Sequence, residues 1–246
     1  MLLSKDISLT NDLINLFTSS DKADFLTQCE LVNLESGQCI GNQNDYIQQV
    51  FFPVESIISW LKIIETDASM VMALIGNEGM LCISPLLGIP VAPCKAVVHK
   101  SGLALRIEAL KLMNLIKSRP EMARILKRYI FVSFNQVMQM AACVHFHCIE
   151  ERLARLLLML KDRSQSSSFH ITHESIAVLL GVRRVGVTKA AMLLHSKNLI
   201  SYSRGDLVIH NIKGLECVSC ICYKSDKETY DQHLNVENLK VYALQE

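Results

Sequence analysis

A basic cluster without acidic residues lies in the last third of the chain. The stretch from Ser175 to Gly205 contains no aspartate or glutamate and has five basic side chains, Arg183, Arg184, Lys189, Lys197 and Arg204. The formal net charge of the whole chain is only +1, so any attraction to a polyanion must come from a local patch of this kind. The cluster indicates either a polyanion-binding surface or an ordinary solvated helix face.

Cysteine is the second reactive residue type that stands out. The chain has nine cysteines, an odd number without the spacing of a disulfide framework, which predicts a reducing environment. Cys217, Cys220 and Cys222 form a compact trio that could hold zinc with His210 or His233 as a fourth ligand, or could respond to oxidation. Because small buried thiols are also ordinary core residues, the sequence predicts no bound cofactor.

Other candidates for catalysis are weak, and the sequence does not predict an enzyme. His145 and His147 occupy alternate positions of one predicted helix and point to different faces, which makes them a poor metal-binding pair. The chain has no glycine-rich phosphate loop, no HExxH and no GxSxG motif. The paired carboxylates Glu150 and Glu151 lie on a predicted exposed helix face.

The sequence predicts a cytoplasmic protein without a membrane segment. The run of residues 129–149 lacks charged side chains, but it includes serine, asparagine, glutamine and histidine and has charged residues on both flanks, unlike a membrane span. The N-terminal sequence MLLSKDISLTND has neither the basic region nor the apolar region of a signal peptide.

The pattern of apolar residues changes twice along the chain. Helical periodicity over residues 10–30 suggests two short helices, and short β-type runs separated by Gly, Pro, Asn and Ser follow from Leu31 to Ile107. Many short strands at this spacing predict a small antiparallel barrel or jelly roll. Beyond Glu108 the periodicity is helical again, with Pro120 in the first turn of a long helix.

The long helix carries apolar residues at intervals of four and three. This heptad spacing is typical of a helix that pairs with a second copy of itself; a helix buried within a monomer is the alternative. The residues predicted to form the dimer contact are Ile130, Phe134, Val137, Ala141 and Val144.

A helix-turn-helix pattern surrounds the basic cluster. Thr172 is a suitable N-cap for a first helix that ends at Gly181, which can take the positive φ of a tight turn. A second helix is predicted from about Arg183 to His195, and a β-hairpin with Arg204 at its tip follows. In such a winged helix-turn-helix the second helix enters the major groove of DNA, which would also explain the absence of carboxylates.

The segment THESIAVLLGVRRVGVTKAAMLLHSKNLISYSRGDLVIHNIKGLE resembles the DNA-binding module of the Crp/Fnr superfamily of transcription regulators. Upstream, VFFPVESIISWL, MALIGNEGM, GLALRI and HCIEERLARLLLML resemble the sensor barrel and connecting helix of the same family, particularly of members with a GVRR turn and a C-terminal CxCY. The resemblance implies an α+β fold with a cyclic-nucleotide-binding-like β-barrel (jelly roll), a long dimerisation helix and a C-terminal winged helix-turn-helix.

Domain boundaries follow from this assignment. We expect a sensor-like barrel with N-terminal helices at 1–117, a dimerisation and connecting helix at 118–145 and a winged helix-turn-helix at 146–223. Residues 224–246 are mixed and polar in sequence and are expected to form a loosely held tail.

The resemblance implies a homodimeric transcription regulator that binds a pseudo-palindromic operator in double-stranded DNA. By position, Arg184 and Lys189 match base- and phosphate-contacting places, and Val185 stands where the cyclic-AMP receptor has a glutamate. The runner-up is a signalling or scaffold module that binds a small ligand or a protein through its barrel and has lost operator affinity. The predicted DNA-binding residues are Thr172, Arg183, Arg184, Val185, Thr188, Lys189 and Arg204.

The barrel lacks the residues with which cyclic-nucleotide binders of this family hold their ligand. Met80 occupies the place of the ribose-binding glutamate, and Cys94 and Lys95 stand roughly where the family has an Arg-Ser pair. Without the carboxylate, classical cyclic-AMP binding is not expected. A small-molecule effector of unknown identity, where one exists, is expected near Gly79, Met80, Cys94 and Lys95.

Overall fold

The computed structural model describes residues 11–65 and 68–235. The α-helices in this part of the chain are α1 (Asp12–Asn15), α2 (Ser19–Thr27), α3 (Ala109–Ser118), α4 (Pro120–Phe146), α5 (Ile149–Ser164), α6 (His173–Leu180), α7 (Arg184–Ser196), α8 (Ile212–Val218) and α9 (Cys222–Leu234). The strands are β1 (Glu30–Leu34), β2 (Cys39–Gly41), β3 (Gln49–Pro53), β4 (Ile57–Glu65), β5 (Ala68–Ile75), β6 (Lys95–Lys100), β7 (Gly102–Glu108), β8 (Ser168–His170), β9 (Ile200–Ser203) and β10 (Asp206–Ile209).

Two antiparallel sheets enclose the core of the N-terminal domain. One sheet has the strand order β1-β7-β3 and the other β2-β6-β4-β5. Their inner faces share an apolar core, to which the first sheet contributes Phe51 and Ala104 and the second contributes Ile58 and Val98. This double sheet confirms the predicted jelly-roll-like domain.

The first sheet is covered on its outer face as well. Val50, Phe51 and Phe52 are consecutive in β3 and all are buried, so the strand lacks the polar alternation of a half-exposed strand. Val50 and Phe52 belong to a second apolar cluster, formed with the N-terminal helices and with α3 and α4. The helices that flank the barrel in sequence therefore close its open face.

Helix α4 is divided between a buried half and an exposed half. Pro120 starts the helix, where its missing N–H costs no hydrogen bond. Met122, Leu126 and Tyr129 are buried against the N-terminal domain, whereas apolar side chains farther along the helix are exposed. The uncharged run at 129–149 lies mostly in this helix, and no helix among the described residues is long and apolar enough to cross a membrane.

Helix α5 organises the C-terminal domain. Leu153, Leu157 and Leu160 lie in an apolar cluster with residues of α6, α7, α8 and the strands that follow α7. Val71 and Leu74 of β5 belong to the same cluster, so the barrel and the C-terminal domain are packed together.

Polar contacts reinforce this packing between the two domains. Arg163 of α5 donates from Nε to the Leu74 carbonyl at 3.0 Å and pairs with Glu78 Oε1 at 2.9 Å. The side chain of Arg163 is almost completely buried, so these partners compensate its charge in the interior.

The expected loose tail is wrong for residues up to 234, because helix α9 packs along α4. Its buried positions Cys222, Asp226 and Leu234, together with half-buried Tyr230, recur every four residues and form one face of the helix. One of these positions is an acid and one a tyrosine, so the buried face does not show the apolar periodicity that identifies an amphipathic helix in a sequence. Residues 236–246 of the predicted tail lie outside the described residues.

A buried ion pair fixes α9 to α5. Arg155 Nη2 and Asp226 Oδ2 are 2.5 Å apart, and both side chains are less than a tenth exposed. A second, exposed pair on the same helix joins Lys224 Nζ to Glu228 Oε1 at 3.6 Å. The two pairs therefore provide a matched comparison of a buried and an exposed charge.

We predict that Asp226→Ala lowers the free energy of unfolding by about 3–5 kcal/mol, because Arg155 would remain buried without a counter-charge. Glu228→Ala, which removes an exposed partner, is expected to change it by less than about 0.5 kcal/mol. Chemical denaturation followed by circular dichroism measures both values. Similar small losses in the two variants would contradict the packing of α9.

Candidate nucleic-acid interface

A tight turn joins the two helices of the helix-turn-helix. Gly181 has a φ of 62°, in the left-handed region that favours glycine. Its N–H donates to the Val178 carbonyl at 3.2 Å, and the N–H of Val182 donates to the Ala177 carbonyl at 3.0 Å. These bonds satisfy carbonyls at the end of α6 and direct the chain into α7.

Helix α7 has one apolar face and one exposed face. Val187, Ala191 and Leu194 are buried against the core built on α5. A Cβ atom at Gly186 would lie 2.8 Å from Ile149 Cδ1, so the absence of a side chain there permits the close approach of α7 to the start of α5. The residues on the exposed face include Arg184, Val185, Lys189, Met192 and Leu193.

Four of the five cations in the basic cluster are exposed and have no ion pair among the residues that the structure describes. We call this set, Arg183, Arg184, Lys189 and Arg204, the recognition patch. Lys197 is different, because its Nζ lies 2.6 Å from Glu150 Oε1 at the start of α5. The acid that pairs with Lys197 lies outside the carboxylate-free stretch, on an earlier helix.

Both predicted threonine contacts have partners within the chain. Thr172 caps α6, because its Oγ1 accepts a hydrogen bond from the Ser175 N–H at 3.1 Å. Thr188 Oγ1 donates to the Arg184 carbonyl at 3.2 Å and lies 3.1 Å from His173 Nδ1. The structure thus gives both hydroxyls a role in positioning the helices.

His173 is a residue of this surface that the sequence did not single out. Its ring stacks on Tyr202 of β9 with the ring centres 4.2 Å apart, which connects α6 to the wing. Burial, together with the nearby positive charge of Arg184, lowers the pKa of His173. The sequence gives no indication of this role, because His173 and Tyr202 are far apart in the chain.

The wing is a three-stranded sheet with the order β8-β10-β9. Arg204 and Gly205 form its tip with φ values of 51° and 94°, a pair of positive values typical of a two-residue hairpin turn. Asp206, the acid next to this tip in the sequence, has its Oδ1 2.9 Å from His170 Nδ1. The hairpin projects Arg204 into solvent while a neighbouring histidine engages the carboxylate.

The predicted dimer contact is only partly exposed. Phe134 is 60% exposed, and Ala141 and Val144 are also exposed, whereas Ile130 and Val137 are half-buried and line a cavity against the barrel. The exposed apolar stripe on α4, which we call the α4 stripe, consists of Phe131, Phe134, Met138 and Ala141. Its spacing of three, four and three residues is that of a helix-pairing seam.

The predicted effector residues do not converge on one cavity. Met80 is buried beside Tyr129, whose hydroxyl donates to the Met80 carbonyl at 3.3 Å. A Cβ atom at Gly79 would lie 2.1 Å from this tyrosine oxygen, so only glycine fits there. Cys94 lines a different cavity from Met80, and Lys95 lines neither of these two.

The cavity that contains Met80 lies between the second sheet and α4 and has a volume of about 280 Å³. Its walls are mainly apolar, and they include Trp60 of β4 and Ala73 of β5 as well as Ile130 and Phe134 of α4. A ligand in this cavity would touch the barrel and the α4 stripe at the same time.

The predicted cysteine trio is wrong as a set. Cys217 is exposed, whereas Cys220 and Cys222 are buried and meet Cys143 of α4 and His147, the residue that follows α4. The two histidines that the sequence offered as a fourth ligand are not in this group: His210 is exposed, and His233 packs edge-on against Phe131.

Comparison with known proteins supports the helix-turn-helix directly. Residues 151–218 match the family model of the Crp-like helix-turn-helix domain. A search of curated protein sequences gives no match. The family match extends from α5 to α8 and therefore includes α7, the second helix of the helix-turn-helix, and the wing.

Solved structures share the fold of about three quarters of this chain. FixK2 from Bradyrhizobium japonicum is 14% identical with a TM-score of 0.67, over 78% of this chain and 98% of that one. The c-di-GMP-responsive global regulator CLP from Xanthomonas campestris is 12% identical with a TM-score of 0.65, over 78% and 99%. A CRP-family transcriptional regulator from Thermus thermophilus is 15% identical with a TM-score of 0.64, over 76% and 96%.

These comparisons confirm the resemblance predicted from the sequence. The chain has a Crp-like helix-turn-helix and the two-domain fold of Crp/Fnr transcription regulators.

Proposed function

We propose that this protein is a sequence-specific DNA-binding transcription regulator that acts as a homodimer on a pseudo-palindromic operator. The observation that carries the proposal is the recognition patch, four exposed cations that have no counter-charge among the described residues and lie on a Crp-like helix-turn-helix and its wing. DNA phosphates and base edges supply the partners that these side chains lack.

The position of two arginines at the start of α7 strengthens this argument. Arg183 is the N-cap residue of the helix and Arg184 is its first residue, where the positive end of the helix dipole disfavours cations. An anion at this place would be attracted by the arginines, by the dipole and by the first N–H groups of the helix, which the Arg183 side chain does not cap. The arrangement is therefore unfavourable in the isolated protein and favourable on a polyanion.

We assign different roles to the members of the patch. We assign Arg184, an exposed guanidinium at the start of α7, to bidentate contact with guanine O6 and N7 in the major groove, with exposed Val185 beside it as an apolar contact. Lys189 on the next turn and Arg204 on the wing neutralise phosphates. Thr172 and Thr188 support these contacts by fixing α6 and α7.

The α4 stripe supports the homodimer. Its four residues expose apolar surface along nearly three turns of helix, and pairing with a second copy would remove this surface from water. A twofold axis along α4 would place two recognition helices on half-sites about one helical turn apart.

The cavity between the barrel and α4 suggests how an effector would act. A small, mainly apolar ligand there would contact both the barrel and α4. Such a ligand could shift the equilibrium between two positions of α4 relative to the barrel. The runner-up function is a signalling or scaffold module without operator affinity. Such a module would use the same cavity but would not bind DNA.

The first test of the proposal is the salt dependence of binding to random-sequence duplex DNA. We expect Lys189→Ala and Arg204→Ala each to reduce the slope of log K against log salt by about 2 for the proposed dimer, because each removes one phosphate contact per subunit. Lys197→Ala is the matched control and should leave the slope unchanged, since Glu150 already pairs with this lysine. Equal changes in all three variants, measured by fluorescence anisotropy, would contradict the assigned patch.

The second test addresses base recognition by Arg184. On a duplex that the wild-type protein selects, Arg184→Ala should reduce discrimination at one base position of each half-site by about 1–3 kcal/mol. Competition with single-base variants of that duplex measures the loss. A uniform loss over every sequence would make Arg184 a phosphate contact.

The third test addresses the dimer. Phe134→Lys places a charge in the α4 stripe and should shift the protein towards monomers in sedimentation equilibrium, because a charge cannot be buried unpaired at an apolar contact. Leu110→Lys is the control, since Leu110 on α3 is 77% exposed and lies outside the stripe. A dimer that is unchanged in the Phe134 variant would contradict pairing through α4.

A further inference from the structure

Four metal-binding side chains converge where α4 ends. Cys143 lies in the last turn of α4, and the N–H of His147, the residue that follows the helix, donates to the Cys143 carbonyl at 3.1 Å. Cys220 and Cys222 come from the link between α8 and α9 and from the first residue of α9. Their ligand atoms, three sulfurs and one ring nitrogen, all lie within 4.8 Å of one another.

The distances between these atoms suit a tetrahedral ion. Cys143 Sγ and Cys220 Sγ are 3.5 Å apart, and Cys222 Sγ is 3.5 Å from His147 Nδ1. Zinc bonds of roughly 2.3 Å to sulfur and 2.0–2.1 Å to nitrogen place adjacent ligands of a tetrahedron about 3.5–3.8 Å apart. The group can therefore close around one ion with small side-chain adjustments.

The surroundings of the group fit a closed site. The three thiols are buried, with Cys143 and Cys222 no more than 1% exposed. Gln139 Nε2 donates to Cys222 Sγ at 3.0 Å, an outer contact of the kind that orients a metal ligand. Arg155, which is close enough to act electrostatically on Cys143, supplies positive charge next to the thiolates.

We propose that Cys143, His147, Cys220 and Cys222 bind one Zn²⁺ ion. Three thiolates and one imidazole form a donor set typical of structural zinc, and four protein ligands leave no open position for catalysis. The site would be an addition to the DNA-binding function and does not depend on it. It also departs from the sequence expectation of no cofactor.

The location gives the ion a structural role. Only His147 and Cys148 separate α4 from α5, so the site lies at the joint between the dimerisation helix and the DNA-binding domain. An ion held by α4 and by the start of α9 would fasten this joint and the C-terminal helix together. It would thereby limit the range of orientations that the recognition helix can adopt.

The test uses the full-length protein purified under reducing conditions without chelators. Elemental analysis should find one zinc per chain in the wild type, and Cys222→Ser and His147→Gln should lose it. Cys217→Ser is the matched control, because Cys217 lies in the same segment but is exposed and outside the group; it should retain the metal. Zinc that persists in both ligand variants, or that is lost equally in the control, would overturn the proposal.

Reconstitution with Co²⁺ provides a measurement that does not depend on the folding of any variant. The metal-free wild type should take up one Co²⁺ and develop thiolate-to-cobalt charge-transfer bands with the intense visible bands of tetrahedral coordination. Stoichiometric displacement by Zn²⁺ should remove these bands. A reduced protein that contains no zinc and gives no thiolate bands with Co²⁺ would overturn the proposal.

Discussion

The apolar contact between α5 and α7 is the interaction on which the rest of the DNA-binding surface depends. Val187, Ala191 and Leu194 of α7 are buried in this contact, and the glycine at position 186 lets the two helices approach closely. Because the buried face is fixed, the opposite face must present its cations to solvent. The recognition patch is therefore held in place by apolar packing, and its charges remain available to an external anion.

Helix α4 connects every part of the molecule that the proposed function requires. Its first half completes the core of the barrel domain, its exposed stripe offers the proposed dimer contact, and its last turn contributes Cys143 to the proposed metal site. A displacement of α4 relative to the barrel would reach the dimer contact and the DNA-binding domain through the same helix. This continuity gives a physical route by which an effector in the neighbouring cavity could alter operator binding.

The sequence predicts those features that local chemistry determines. The N-cap at Thr172, the left-handed turn at Gly181 and the start of the recognition helix at Arg184 each follow from residues within a few positions of one another. The alternating short strands likewise indicate a jelly-roll-like domain before any contact between its sheets is known.

Contacts between segments that are distant in the chain could not be predicted from the sequence. The pairing of Lys197 with Glu150, the buried face of α9 and the meeting of Cys143 with Cys220 all depend on how helices pack. In α9 an acid occupies a core position because Arg155 compensates its charge, so the usual apolar pattern is absent. In the cysteine group, Cys217 is close to Cys220 in sequence but exposed, whereas Cys143 and His147 are distant in sequence and lie next to Cys220 in the structure.

Operator recognition can be measured by selecting bound sequences from a random duplex pool with the purified wild-type protein at near-physiological salt. We expect enrichment of a twofold-symmetric motif whose half-sites are centred about one helical turn apart. Enrichment of nothing above background, with the protein folded and dimeric, would contradict sequence-specific operator recognition and favour the scaffold function.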